Sequence, residues 1–422
     1  MYFSTFDQSY SIIMTSKIFK FFTVLLIVSN TACKNEVKQT ILNSGVWRGE
    51  IAMQNNILPF NFEVSKDGEN YQIHLINGKE KLNLDNIKVE NDSVFFTMHI
   101  FDIDVKAKIN GNSLEGVYIK NYIDDYVLPF KATFGKNNRV DNPESNSKFD
   151  GKWDLTFTGE NGETSKGVGI FKKQNNKLTG TVLTPVGDYR YLDGFTSDTD
   201  FTLYSFDGNH TFIFEASLDN ETTLQGDFWS GKSFHESFTG VKNEHIELPD
   251  ANELTFLKEG YDAIEFSFPD LNENLVSLTD EKYRNKVIIL QIFGTWCPNC
   301  MDETKFYTKW YTENKHRDVE IIGLAYEAKA DFDYAKARVE KMKTRLKVPY
   351  DFLIAGTYHK EEAAKTLPML NHVMSFPTSI FIDKNGKVRK IHTGFTGPAT
   401  GDYYLKFIDE FNYFMNNLLE EE

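Results

Sequence analysis

The chain is poor in cysteine, with three in 422 residues, and its 46 basic side chains are outnumbered by 61 acidic ones. Three cysteines cannot staple a framework, so each domain has to be held by a hydrophobic core. At roughly 150 residues per domain, the length allows about three such cores. A net charge of −15 leaves no basic surplus for phosphate contacts, which excludes a general nucleic-acid binder. Hydrophobic residues make up 41% of the chain but fall in short runs. That distribution excludes a multi-pass membrane protein, and the abundance itself excludes a disordered chain. What the sequence does have is aromatic side chains, 36 Phe and 20 Tyr, and a telling placement of the three cysteines.

Near the N-terminus, Lys17 and Lys20 precede the run Phe21-Phe22-Thr23-Val24-Leu25-Leu26-Ile27-Val28, which exits through Thr31-Ala32-Cys33. A basic start, an apolar stretch of about 7–15 residues and a small-residue exit read as a secretory signal. The run is shorter than the ~20 residues of a spanning helix. Met14 fits as its start. The segment resembles bacterial lipoprotein signals: Ala32 fits the lipobox, and Asn30 departs from it. The resemblance implies lipid on Cys33. Residues 1–33 are thus expected to be a lipoprotein-type signal peptide and 34–44 a tether. The chain is expected on the periplasmic side of a bacterial cell envelope, lipid-anchored to the inner or outer membrane. A cleaved signal with an unmodified cysteine, or an uncleaved anchor, are the alternatives.

From about 45 to 245 the pattern is period-2 alternation broken by turn residues, which predicts antiparallel β structure without helices. Phe60, Phe62 and Val64 alternate with Asn61 and Glu63; Phe96, Met98 and Ile100 alternate with Thr97 and His99. Turns are expected at Lys66-Asp67-Gly68, Asn110-Gly111-Asn112, Asn161-Gly162 and Asp207-Gly208-Asn209. Gly45-Val46-Trp47 returns as Gly151-Lys152-Trp153, Val64-Ser65-Lys66 as Phe171-Lys172-Lys173, and Leu114-Glu115-Gly116 as Leu224-Gln225-Gly226. Matches in order after about 106 to 110 residues imply a duplicated unit, each copy a small barrel or sandwich. The expected units are 45–140 and 148–245. Their aromatics either fill packed cores or line a ligand cavity. His74, His99, His210 and His235 stand apart from one another, without metal-ligand spacing.

Beyond a linker at 246–257, residues 258–422 alternate strands with helices, as in a thioredoxin-like α/β domain. The continuous apolar run Val287 to Phe293, interrupted only by Gln291, predicts a strand covered on both faces. It leads into Gly294-Thr295-Trp296-Cys297-Pro298-Asn299-Cys300, after which Phe306 and Trp310 mark a helix face. A strand, a Cys-x-x-Cys turn and a helix read as a redox motif. Cys297 would sit at the helix N-terminus, where free amides and the helix dipole favour its thiolate, with Cys300 one turn on. Pro298 suits the first helical position. A zinc site would need a second ligand pair that the chain lacks, so no metal is expected. A structural disulfide closing so short a loop would remove little chain entropy. Further strands are expected at Val319–Ala325 and Tyr350–Ala355. A helix should carry Phe332, Ala335, Val339, Met342 and Leu346, and a last one from Asp402 should cover the sheet with Leu405, Ile408, Phe411 and Met415.

Phe266-Ser267-Phe268-Pro269-Asp270-Leu271, Val276-Ser277-Leu278, Lys286-Val287-Ile288, the Trp296 to Cys300 motif, Ser375 to Asp383 and Asp383-Lys384-Asn385-Gly386-Lys387 together resemble the TlpA/ResA group of membrane-tethered thioredoxin-like proteins. The resemblance covers about residues 258–420. It implies a thiol-disulfide oxidoreductase with a redox-active Cys297–Cys300 disulfide and no other cofactor. It further implies a cis Pro377 against that disulfide, and a Phe376 backbone that pairs with an extended substrate. Gln291 stands where thioredoxin carries a buried carboxylate, and Glu303 matches an acidic position of ResA-like proteins that could move the proton of Cys300. The partners implied are protein thiols and disulfides, a membrane thiol-electron donor of the CcdA/DsbD type and the membrane itself. Cytochrome c maturation is a role known in the family. Two other functions remain open: a peroxiredoxin-like peroxidase, whose motif needs threonine where Gly294 stands, and a ligand- or partner-binding surface lipoprotein with an accessory redox domain.

Overall fold

Alternating side chains give each strand one inward face, and between Gly45 and Lys242 every helix or strand element of the described chain is a strand. The computed structural model describes residues 41–139, 148–174 and 177–421. Cys33 and the rest of the expected signal lie outside them. The first unit comprises β1 (Gly45–Met53), β2 (Asn56–Asp67), β3 (Asn70–Asn77), β4 (Glu80–Asn83), β5 (Asp85–Glu90), β6 (Ser93–Thr97), β7 (Ile103–Asn110), β8 (Ser113–Lys120) and β9 (Val127–Phe134). They pair antiparallel in the order β4-β3-β2-β1-β9-β8-β7-β6-β5. Leu84 N, between β4 and β5, donates to Ile73 O at 2.8 Å and draws the two ends of the sheet together. The alternation expected through Ile100 stops at Thr97, where the chain turns and His99, with φ 45°, is buried.

The second unit repeats the first strand for strand: β10 (Gly151–Gly159), β11 (Thr164–Gln174), β12 (Lys177–Thr184), β13 (Gly187–Asp188), β14 (Leu192–Thr196), β15 (Asp200–Phe206), β16 (Thr211–Leu218), β17 (Thr223–Ser230) and β18 (Phe234–Lys242). Here β11 also pairs with β12, which closes the sheet into a barrel with β13 as a spur on β12. The duplication reaches side-chain detail. Trp47 Nε1 donates to Asn43 O and Trp153 Nε1 to Phe149 O, both at 2.9 Å and both four residues back. Gly45 and Gly151 open their strands at φ 127° and 113°, where glycine is favoured. Aromatic rings pack the interiors, among them Phe60, Phe62, Phe96 and Phe130 in the first unit and the stacked Phe214 and Phe228, 4.3 Å apart, in the second. Leu42 is buried and its N donates to Tyr71 Oη, so the last residues of the expected tether belong to the first unit.

The C-terminal region begins with a small hairpin, β19 (Phe268–Pro269) and β20 (Leu275–Val276). It continues as β21 (Val287–Phe293), α1 (Pro298–Asn314), β22 (Val319–Glu327), α2 (Phe332–Leu346), β23 (Asp351–Thr357), α3 (Lys360–Thr366), β24 (Thr378–Ile382), β25 (Val388–Thr393) and α4 (Asp402–Glu420). The sheet order is β23-β22-β21-β24-β25, with β21 parallel to β22 and antiparallel to β24. This is a thioredoxin-like sheet with β21 at its centre and every residue of β21 buried, Gln291 included, as expected of a strand covered on both faces. Residues 246–257 are bonded along this domain: Thr393 N donates to Ala251 O and Asn371 N to Phe256 O, each at 2.9 Å. On α4, Phe411 and Met415 are buried as expected, but Leu405 is 59% exposed. The buried face begins a turn and a half later, and Leu418 and Leu419 extend it.

The expectation of one core per domain needs correction. Buried residues of the first β unit and of the C-terminal domain form one continuous cluster, joined by Tyr204, Phe206 and Ile213 of the second unit. Phe60 and Phe206 rings lie 4.2 Å apart across that boundary. The described residues, from 41 to 421, constitute one compact unit.

Candidate active site

The site forms where β21 ends. Gly294-Thr295-Trp296 turns the chain, and Cys297, with φ −99° and ψ 113°, caps α1: its Sγ accepts from Cys300 N at 3.2 Å, and Pro298 takes the first helical position. Both cysteines are free thiols. Cys297 Sγ donates to Phe376 O at 3.4 Å, and the Phe376–Pro377 peptide is cis. The structure therefore brings the cysteine pair and the proline loop together. Trp296 Nε1 donates to Tyr326 O at 2.9 Å, and its ring meets Tyr358 and Phe376 at 5.5 Å.

Beneath the pair is a closed polar layer. Glu303 is fully buried on α1 and accepts from Gln291 Nε2 and Ser379 Oγ, each at 2.9 Å. Ser379 Oγ in turn accepts from Tyr307 Oη at 2.8 Å, and Gln291 Nε2 also donates to Thr304 Oγ1 at 3.0 Å. Burial pushes the Glu303 carboxyl from 4.5 up to about 8 against those hydrogen bonds. Burial first, then the neighbouring Cys297, and to a lesser degree Glu303, hold the Cys300 thiol well above its usual 9.0. The arrangement offers one sulfur at a helix N-terminus and a second kept protonated beside a carboxyl that titrates near neutrality.

Several contributors have no signature in the sequence motif. Glu327 ends β22 and accepts from Thr295 N at 2.9 Å and Thr295 Oγ1 at 2.8 Å, fixing the turn before Trp296. Burial raises its carboxyl to about 7. An acidic residue closing an apolar strand at the carboxyl end of a parallel pair is the one signal that could have found it. Arg190 comes from the second β unit: it donates to Pro298 O at 2.9 Å and pairs with Asp302, with Glu80 at 2.5 Å and with Asp207 at 3.2 Å. Burial disfavours the guanidinium charge, but Asp302, Glu80 and Asp207 together outweigh that and hold it above its usual value. Asn299 Nδ2 donates to Asp188 O at 3.0 Å, and Asn209 Nδ2 to Trp296 O at 2.5 Å. With these contacts in place Cys297 is only 6% exposed, so the sulfur at the helix N-terminus is covered. Among the described residues no group of three or more His, Cys, Asp or Glu is placed to hold a metal, and no helix is long and apolar enough to cross a membrane.

Residues 260–391 match the model of the AhpC/TSA family. Over 142 residues the chain is 32% identical to the thiol-disulfide oxidoreductase ResA of Geobacillus thermodenitrificans, an overlap of 34% of this chain and 73% of that protein. The chain belongs to the ResA family of thiol-disulfide oxidoreductases. The Bacillus subtilis ResA is 27% identical over 152 residues, 36% of this chain and 76% of that one. Among solved structures, a thiol-disulfide oxidoreductase from Bacteroides fragilis is 23% identical with a TM-score of 0.27, covering 35% of this chain and 99% of its own. A putative disulfide isomerase from Bacteroides thetaiotaomicron is 20% identical with a TM-score of 0.29, covering 40% and 93%. The ResA likeness thus takes in about a third of the chain. Both β units lie outside residues 260–391.

Proposed function

We propose that this ResA-family chain is an exported, membrane-anchored reductase of protein disulfides that works through Cys297 and Cys300. The observation that carries the reading is the placement of Cys297 Sγ, capped on the α1 N-terminus and facing the carbonyl of Phe376 before Pro377. The Cys297 thiolate attacks one sulfur of a partner disulfide; that bond breaks, a mixed disulfide forms and the partner's other sulfur leaves as thiolate. Cys300, deprotonated to the ionised Glu303, then attacks Cys297 Sγ. The partner leaves with both sulfurs reduced, and the two electrons have come from the Cys297–Cys300 pair, now a disulfide. A membrane thiol-electron donor of the CcdA/DsbD type returns two electrons and two protons, and a lipid on Cys33 keeps the domain near that donor.

The AhpC/TSA match raises the peroxidase alternative, which the geometry at Gly294 opposes. A Cβ there would lie 2.2 Å from Trp296 Nε1 and 2.8 Å from Tyr326 O, so the threonine of a peroxidatic motif has no room. Reduction of insulin disulfides by the full chain, abolished by Cys297→Ser, is the expected result; activity that survives the substitution would refute the proposal. Cys300→Ser should trap partners as mixed disulfides on Cys297.

A further inference from the structure

A redox cysteine has to meet a second sulfur, so such residues sit in partly exposed surroundings. Here the dipeptide between the cysteines is covered as well: Pro298 is buried and Asn299 is 9% exposed. Beside Asn209, which bonds Trp296 O, the cover comes from the tip of one hairpin, residues 184–188, in the connection from β12 to β14 of the second β unit. Val186 O accepts from Ser375 Oγ at 2.8 Å, beside the proline loop. Asp188 O accepts from Asn299, and Asp188 Oδ2 accepts from Gly397 N at 2.8 Å. The tip lies against the redox domain at a distance only glycine allows. A Cβ on Gly187, at φ 139°, would lie 2.6 Å from Asn299 Nδ2; one on Gly394, at φ 79°, would lie 2.8 Å from the Val186 carbonyl carbon.

Two features make this tip releasable. Residues 185–188 are tied to their own sheet through the two pairs Leu183↔Asp188 and Thr184↔Gly187, and the bonds that seat them on the redox domain are hydrogen bonds that water can replace; Tyr189, packed on Phe212 and Phe228, and Arg190, held in its ion-pair cluster, are the fixed base on which they would hinge. A cleft of about 180 Å³ flanks it, lined by Leu183, Pro185, Leu248 and Phe395, and gives it somewhere to go.

We propose that the hairpin tip, residues 184–188, is a lid that selects which disulfides reach Cys297: closed, it admits small disulfides and shuts out folded proteins, which engage only when it lifts. The inference rests on Cys297 as the attacking sulfur. A lid open for about 1–10% of the time lowers the rate with a protein partner to that fraction of its unhindered value, and a variant that cannot close regains it.

The test uses the reduced full chain and Gly187→Ala, with iodoacetamide and a polyethylene-glycol maleimide as thiol probes, each calibrated on free cysteine. In the wild type the calibrated rate at Cys297 should be about tenfold lower for the bulky probe, and Gly187→Ala should erase that gap. The same substitution should raise insulin reduction about tenfold and leave reduction of oxidised glutathione unchanged. Probe rates independent of size in the wild type would overturn the lid. Should Gly187→Ala fail to fold, amide hydrogen exchange of residues 185–188 in the wild type decides: exchange far faster than the β12–β14 ladder supports the lid, and equal protection refutes it. Loss of both reductase activities with the size-dependent alkylation intact would sink the reductase reading and leave the lid standing.

Discussion

Glu303 illustrates how much one burial decides. On an exposed helix face it would be an ordinary carboxylate; under Gln291 and Ser379, sealed from water, its proton is held up to about 8. In the unfolded chain the same group titrates near 4.5, so the folded form binds the proton more tightly. The stabilisation from that proton is complete below 4.5 and is lost as pH rises through about 8. Glu303→Gln should remove the slope and leave the variant more stable above neutrality, on the order of a few kcal/mol, as read by denaturant melts across pH. The chemistry moves oppositely. Only the ionised carboxylate accepts the Cys300 proton, so resolution of a mixed disulfide should accelerate through about pH 8, and Glu303→Gln should slow it about 10²-fold at that pH. A resolution rate with an unchanged pH profile in the variant would remove Glu303 from the proton path. Gln291 and Glu303 were legible in the sequence because their spacing from the cysteines is local, one on the strand before and one on the helix after. Tyr307, four residues on, shares the Glu303 face of α1, but Ser379, which bonds both of them, enters through β24, and no spacing rule reaches it.

At the scale of elements, the turn from β21 into α1 is fixed by what cannot be added to it. Gly294 is not held by an unusual φ but by the Trp296 indole, which folds back over it to reach Tyr326 O. Gly294→Ala should break that bond and force the ring outward, costing about 1–3 kcal/mol by chemical denaturation. A red shift of tryptophan emission should accompany it; unchanged stability would show that the turn has slack. Strands were legible wherever one face met a core, since the period-2 pattern is the direct record of that burial. The duplication was legible from three short matches because the residues they contain do the same work in both copies: a glycine that opens the strand and a tryptophan that closes onto a carbonyl four residues back. Leu405 misled for the converse reason. Helical spacing marks a face, but where along α4 the sheet begins to lie beneath that face depends on the loop before it.

Across the whole molecule, the contacts that make three expected domains into one body are those that sequence shows least. Arg190 is the centre of them: Glu80 comes from the first β unit, Asp207 from the second, Asp302 and the Pro298 carbonyl from α1. Each partner is more than 15 residues away in the chain, and neither the Cys-x-x-Cys motif that holds Pro298 nor the turn that holds Asp207 points to Arg190, so composition could report the charges but not their convergence. Lys305 lies on the rim of this cluster, 3.0 Å from Glu80 and 3.4 Å from Asp302, and adds a second cation where water still reaches. Removing one member of such a buried set leaves the others uncompensated, which typically costs about 3–5 kcal/mol, whereas an apolar side chain of similar reach restores packing but not charge. Arg190→Met should therefore lose about 3–5 kcal/mol, with three acidic groups left facing one another. Because the cluster is also the polar seam between the units, the loss should fall on their coupling. Scanning calorimetry of the wild type should give one transition, as a shared core demands, and Arg190→Met should split it, the second β unit separating from the body formed by the first unit and the redox domain. A uniform downward shift of a single peak would mean that the apolar contact of Phe60 with Phe206 is enough to couple them without the charge cluster.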